Sequence, residues 1–162
     1  MMSEFSPMAA ALLALLASPP ANQARPAPEV SRDAAFPSLP AAMERASRSG
    51  RAGVAVMARL AGCSACSRMD RDILQDARVK KAMSRFEVVK IDIAEDLPAI
   101  SASGERVSQR SLARAGLGMK VAPTVVFLGL DGSEIGRFPG LPASPDDFAD
   151  IAEASARRGG GR

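Results

Sequence analysis

The chain contains no histidine, tryptophan or tyrosine, and only two cysteines among its 162 residues. Without histidine, no histidine-ligated metal site, Ser-His-Asp triad or Cys-His dyad can exist within this chain. Two cysteines supply half of a four-thiolate zinc site, so a zinc reading needs a second chain or carboxylates. The only aromatics are six phenylalanines, and the 21 basic residues are scattered among 18 acidic ones. A nucleic-acid interface wants clustered Lys and Arg interleaved with aromatic rings. A net charge of +3 and a pI near 9.3 describe a solvated, slightly basic surface instead. No nucleic acid, metal or cofactor is therefore expected.

What is present is enough apolar material, 47% of the residues, for one compact core. Its distribution is uneven. From Ala17 to Arg51 the chain is rich in Pro, Ala, Ser and Arg, too poor in large apolar groups to offset its ordering entropy. A short helix around Leu39 to Ser47 is expected to lead into the domain. The run Met8 to Leu16 has the length of a secretory hydrophobic region and is too short to span a bilayer. Ala17, Ala21 and Ala24 offer cleavage points, although Glu4 sits where positive charge is expected. The expected organisation is a signal peptide over 1–24, a disordered linker over 25–35, one domain over 36–157 and a flexible tail over 158–162. A periplasmic or otherwise exported location follows, with the cytoplasm as the alternative.

Within the domain, Val54 to Leu60 is an apolar run of strand length, as for a strand covered on both faces. It leads into Gly62-Cys63, after which Cys66, Met69 and Ile73 recur on one helical face. Asp76 can cap a second helix with an apolar stripe of Val79, Ala82, Met83 and Phe86. Val88 to Ile93 reads as a strand, and Ser108 can cap a helix through Leu112 and Ala115, ended by Gly116 and Gly118. Thr124 to Leu128 is a β-branched strand, and Asp131-Gly132 should turn it back into Ser133 to Phe138. Ser144-Pro145-Asp146-Asp147 opens a last helix with Phe148, Ile151, Ala152 and Ala156 inward. The order β-α-α-β-α-β-β-α predicts an α/β fold: a three-layer α/β/α sandwich around a small mixed sheet.

Three readings compete for Cys63-Ser64-Ala65-Cys66. As a structural staple the pair is poor, because so short a loop contributes only about 2 kcal/mol. As a metal site it is half a ligand set. As a redox pair it fits, because it follows a strand and opens a helix whose free N–H groups favour the Cys63 thiolate. Cys66, one turn inside, is then close enough to resolve a mixed disulfide.

These residues resemble the thioredoxin superfamily over roughly Ala52 to Ala156. The resemblance rests on Gly62-Cys63-Ser64-Ala65-Cys66, on Lys90-Ile91-Asp92 and on Gly118-Met119-Lys120-Val121-Ala122-Pro123-Thr124. It implies a thiol–disulfide oxidoreductase of thioredoxin-like fold, with Cys63 as nucleophile and Cys66 as resolving thiol. It also implies a cis Ala122–Pro123 bond whose loop offers backbone hydrogen bonds to substrate. Met69, Asp76 and Val79 look like the exported thioredoxin-like branch. Two positions depart from the family pattern: Gly62 replaces the usual Trp, and Met57 replaces a buried acid. Lys90 matches a family lysine near the site, or is a strand lysine reaching solvent; Arg59 and Arg68 are further charges that could tune the pair. Ser64-Ala65 adds no cation, so the couple is expected near the reducing end. The implied partners are a disulfide-containing protein substrate and a membrane-bound or thioredoxin-type electron donor, and the protein is expected to be a monomer. The alternatives are an oxidant or isomerase of the same fold, and a non-catalytic binding module.

Overall fold

A computed structural model describes residues 36–160. The signal peptide and linker expected over 1–35, and residues 161–162 of the expected tail, lie outside the described residues.

The helix α1 (Leu39–Arg48) starts on the Ser38 side chain, which accepts the Ala41 N–H, and buries Leu39, Ala42 and Ala46. The chain continues through β1 (Gly53–Arg59), α2 (Ser64–Arg68) with a π turn over Met69–Ile73, α3 (Ala77–Met83) and β2 (Phe86–Asp92). A short pair of strands follows, β3 (Pro98–Ile100) and β4 (Arg106–Ser108), then α4 (Gln109–Ser111) with a π turn over Leu112–Gly116. The last elements are β5 (Thr124–Leu128), β6 (Glu134–Pro139) and α5 (Pro145–Gly159).

The main sheet has the order β2-β1-β5-β6, with β1 parallel to β2 and both other pairings antiparallel. Along β1 the side chains alternate between two cores. Val54, Val56 and Ala58 join Leu39, Val89, Ile91 and Leu112 on the face that α1 and α4 cover. Ala55 and Met57 join Met69, Val79, Phe127 and Phe148 on the face that α2, α3 and α5 cover. Burial on both faces is why β1 and β5 read as unbroken apolar runs. The second core is built around rings: Phe86 and Phe127 have centroids 4.8 Å apart, and Phe127 and Phe148 6.2 Å.

Several local expectations are corrected. Phe86 does not continue the α3 stripe; it opens β2, buried against Phe127, because the Arg85 carbonyl already accepts a strand-type bond from Ala52 N–H at 2.7 Å. Ile151 is exposed, since the inward stripe of α5 is Phe148, Ala149, Ala152, Ser155 and Ala156. Ala115 is likewise exposed and Ala113 buried, because the π turn shifts the register of that face. Leu60 lies beyond the strand end and is exposed. The β3–β4 pair was not foreseen; three-residue strands beginning at a proline carry no alternating signal. It is joined by the chain entering α1, with Ile100 N–H donating to Pro37 O at 2.8 Å. At the other end α5 continues through Arg158, whose guanidinium donates to Ile135 O at 2.8 Å.

Candidate active site

The cysteines sit at the carboxyl end of β1. There the chain turns through Leu60, Ala61 and Gly62, with Cys63 N–H returning to Leu60 O at 3.2 Å. Gly62 takes φ +71°, a left-handed conformation that costs a side-chain-bearing residue about 1–2 kcal/mol. This is the position where the family's Trp is replaced. Cys63 then caps α2 itself, with extended backbone and its Sγ accepting the Cys66 N–H at 3.0 Å. A sulfur in this place faces the unpaired N–H groups of a helix start, which favour the thiolate over the thiol.

Cys63 and Cys66 form a disulfide, with Cα atoms 5.2 Å apart. The two sulfurs are not equivalent. Cys63 is partly exposed, whereas Cys66 is buried with 3% of its surface accessible. An incoming reagent therefore meets Cys63 first. Met57, where a buried acid would stand in the family pattern, is 3% exposed and packed in the second core. Among the described residues the buried polar side chains are Gln109, Thr124 and Ser155, so no buried carboxylate is available to take a proton from Cys66.

The loop before β5 closes the other side. Ala122–Pro123 is cis, and Ala122 O lies 3.7 Å from Cys63 Sγ. Pro123 is buried, while Val121 beside it is exposed. The loop is braced where it enters the strand: Thr124 Oγ1 donates to Val121 O at 2.8 Å, and Gly140 N–H donates to Pro123 O at 2.8 Å.

Away from that loop, an open groove of about 390 Å³ runs from the cysteines between α2 and β2. It is lined by Cys63, Cys66, Leu60, Arg59, Lys90 and Asp92, among others. Strand register explains the grouping: Met57 lies opposite Lys90 and Arg59 opposite Asp92. Both tuning candidates from the sequence, Lys90 and Arg59, thus reach the groove. Arg59 is not a free charge, because its Nη1 is 2.9 and 2.7 Å from the two oxygens of Asp70. Arg68 does not join them; it is exposed, beside Asp72 on another surface. Asp92 lines the groove beside Lys90, and Asp70, which pairs with Arg59, was not foreseen in the sequence. Asp70 stands eleven positions from Arg59, in the π turn that follows α2, a separation that no side-chain periodicity marks.

A helix-capping, accessible cysteine disulfide-bonded to a buried one, facing a cis-proline loop on a four-stranded mixed sheet, defines a thioredoxin-like disulfide oxidoreductase. The chain belongs to the thioredoxin-like domain family, whose model matches residues 39–156. Among solved structures it is similar to a thioredoxin from Thermus thermophilus, at 24% identity and TM-score 0.58, covering 77% of this chain and 90% of that one. It is also similar to the oxidised DsbD C-terminal domain from Neisseria meningitidis, at 20% identity and TM-score 0.54, covering 71% and 90%. A putative disulphide-isomerase from Bacteroides thetaiotaomicron gives 22% identity and TM-score 0.53, covering 74% and 90%. No curated protein matches the chain in sequence.

Proposed function

We propose that this protein is a reductant of disulfides in exported protein substrates, cycling between the Cys63/Cys66 dithiol and the disulfide. The observation that carries the reading is the asymmetry of the pair: Cys63 is accessible beside Ala122 O, and Cys66 is buried behind it. Cys63 thiolate attacks a substrate sulfur, forms a mixed disulfide and expels the other substrate sulfur as a thiolate, which takes a proton from solvent. Cys66 gives up its proton through the groove and attacks Cys63 Sγ. The second substrate thiol leaves, and Cys63–Cys66 is closed; two electrons have passed to the substrate. A donor dithiol, membrane-bound or of thioredoxin type, then restores the pair. The Ala122–Pro123 loop holds the substrate backbone, and Lys90 favours the anionic sulfurs from the groove.

The reducing direction is supported by how little stabilises the Cys63 thiolate beyond the helix start and Lys90. Ser64 and Ala65 carry no charge, and Asp70 offsets Arg59. Export is supported by the Met8 to Leu16 run and by the resemblance to the exported thioredoxin-like branch. Trapping tests the roles. Cys66→Ser should accumulate mixed disulfides with substrate proteins and Cys63→Ser should not; equal trapping by both variants would overturn the assignment.

A further inference from the structure

The residues that shape the Ala122–Pro123 loop lie upstream of it. The π turn over Leu112–Gly116 ends on Leu117, and Gly118 follows at φ +61°, swinging the chain toward buried Met119. The N–H groups of this bend are satisfied locally: Leu117 donates to Leu112 O and Met119 to Ala113 O, each at 2.8 Å. Its carbonyls point outward, as carbonyls at a helix end do. They are met by a residue of a different element. From β6, Arg137 donates through Nη2 to Leu117 O at 2.8 Å and through Nη1 to Gly118 O at 3.3 Å. Its remaining edge is held by Glu134, with Nε–Oε1 at 2.9 Å and Nη2–Oε2 at 2.6 Å. Only a planar fork can span two carbonyls and a carboxylate together; lysine cannot. Glu134 lies three residues earlier in β6, where the β5–β6 register shifts, and its two bonds leave the guanidinium little freedom to swing.

We propose that Arg137, clamped by Glu134, is a positioning residue for the substrate loop: by fixing Leu117 O and Gly118 O it sets where the Ala122 backbone stands relative to Cys63. This rests on the reading of that loop as the substrate contact. Arg137 touches neither sulfur nor Ala122, so it acts on binding and not on the thiolate.

The test uses the full chain as wild type, Arg137→Lys and Arg137→Ala, with insulin as the disulfide probe and dithiothreitol as electron source. In Arg137→Ala, KM for insulin should rise about tenfold with kcat within about twofold. The rate of Cys63 alkylation by iodoacetamide should not change, and Arg137→Lys should fall between. An unchanged KM overturns the proposal, as does a common fall of kcat and alkylation rate in both variants, which marks general damage to the fold. If wild-type protein does not reduce insulin, the reductant reading fails, and amide exchange then judges Arg137. Exchange about tenfold faster at Met119 and Gly140 in Arg137→Ala, with α1 unchanged, upholds the clamp; equal exchange refutes it.

Discussion

Opening the Cys63–Cys66 bond should change the stability of this protein very little, and the amount can be worked from the site. The bond joins residues separated by three positions. Loop entropy in the unfolded chain then favours the oxidised form by about 2 kcal/mol. Reduction puts charge on Cys63 Sγ while it accepts the Cys66 N–H at 3.0 Å at the start of α2. Making that acceptor anionic returns about 1 kcal/mol, and the helix start adds about 0.3–1 kcal/mol. The oxidised form should thus be the more stable one at pH 7, by roughly 0–1 kcal/mol. Urea denaturation of the full chain, with and without reductant, reads this gap directly. By the thermodynamic cycle it must also equal the difference in potential between the folded and urea-unfolded pair, at about 30 mV for 1.4 kcal/mol. A reduced form more stable by about 2 kcal/mol or more would refute the reasoning. It would mean that the folded site holds the thiolate strongly and that electrons flow into this protein from its substrates.

Three further outcomes are expected. Asp70→Asn leaves the Arg59 guanidinium uncompensated at the groove, so the glutathione-measured potential should rise by about 10–30 mV; no rise would show that Arg59 does not act on the cysteines. Gly62→Ala should cost about 1 kcal/mol in urea unfolding, because φ is +71° although a Cβ would meet no neighbour; a neutral effect would mean that the turn relaxes freely. Arg137 and Arg78 hold the Glu134 and Glu153 carboxyls below the ordinary value of 4.5. Groups lowered on folding stabilise the protein above their unfolded value and lose that contribution as pH falls through the folded one. The thermal midpoint should therefore fall as pH drops below about 4.5, and less steeply in 1 M salt; salt-insensitive loss starting above pH 6 would contradict this.

How much of this was legible in the sequence depended on whether a signal was local. The cysteine pair, Asp76, Ser108 and Ser144 were readable because capping is decided within one helical turn, and all three polar residues cap the helices expected of them. The strands of the main sheet were readable, β1 and β5 because burial on both faces leaves an unbroken apolar run and β6 because Asp131-Gly132 turns the chain back. Their ends were not, since Phe86 belongs equally well to an apolar helical stripe or to a strand, and only its packing on Phe127 decides. The two π turns escaped because each is a displacement by one residue within an otherwise helical stretch. Asp70, which neutralises Arg59, lies in the first of them. The Arg137 clamp was invisible for a plainer reason: its acceptors are backbone carbonyls, which leave no trace in side-chain pattern.

The methionine at position 57 has a consequence for how this enzyme can be interrogated. With Met57 standing where a buried acid would be, no histidine in the chain and no buried carboxylate among the described residues, the site offers no buried acid to relay the Cys66 proton. A pH–rate profile then reports macroscopic values that belong to the two thiols together. The Cys66 proton must leave through the groove, so its route ends in whatever buffer fills it.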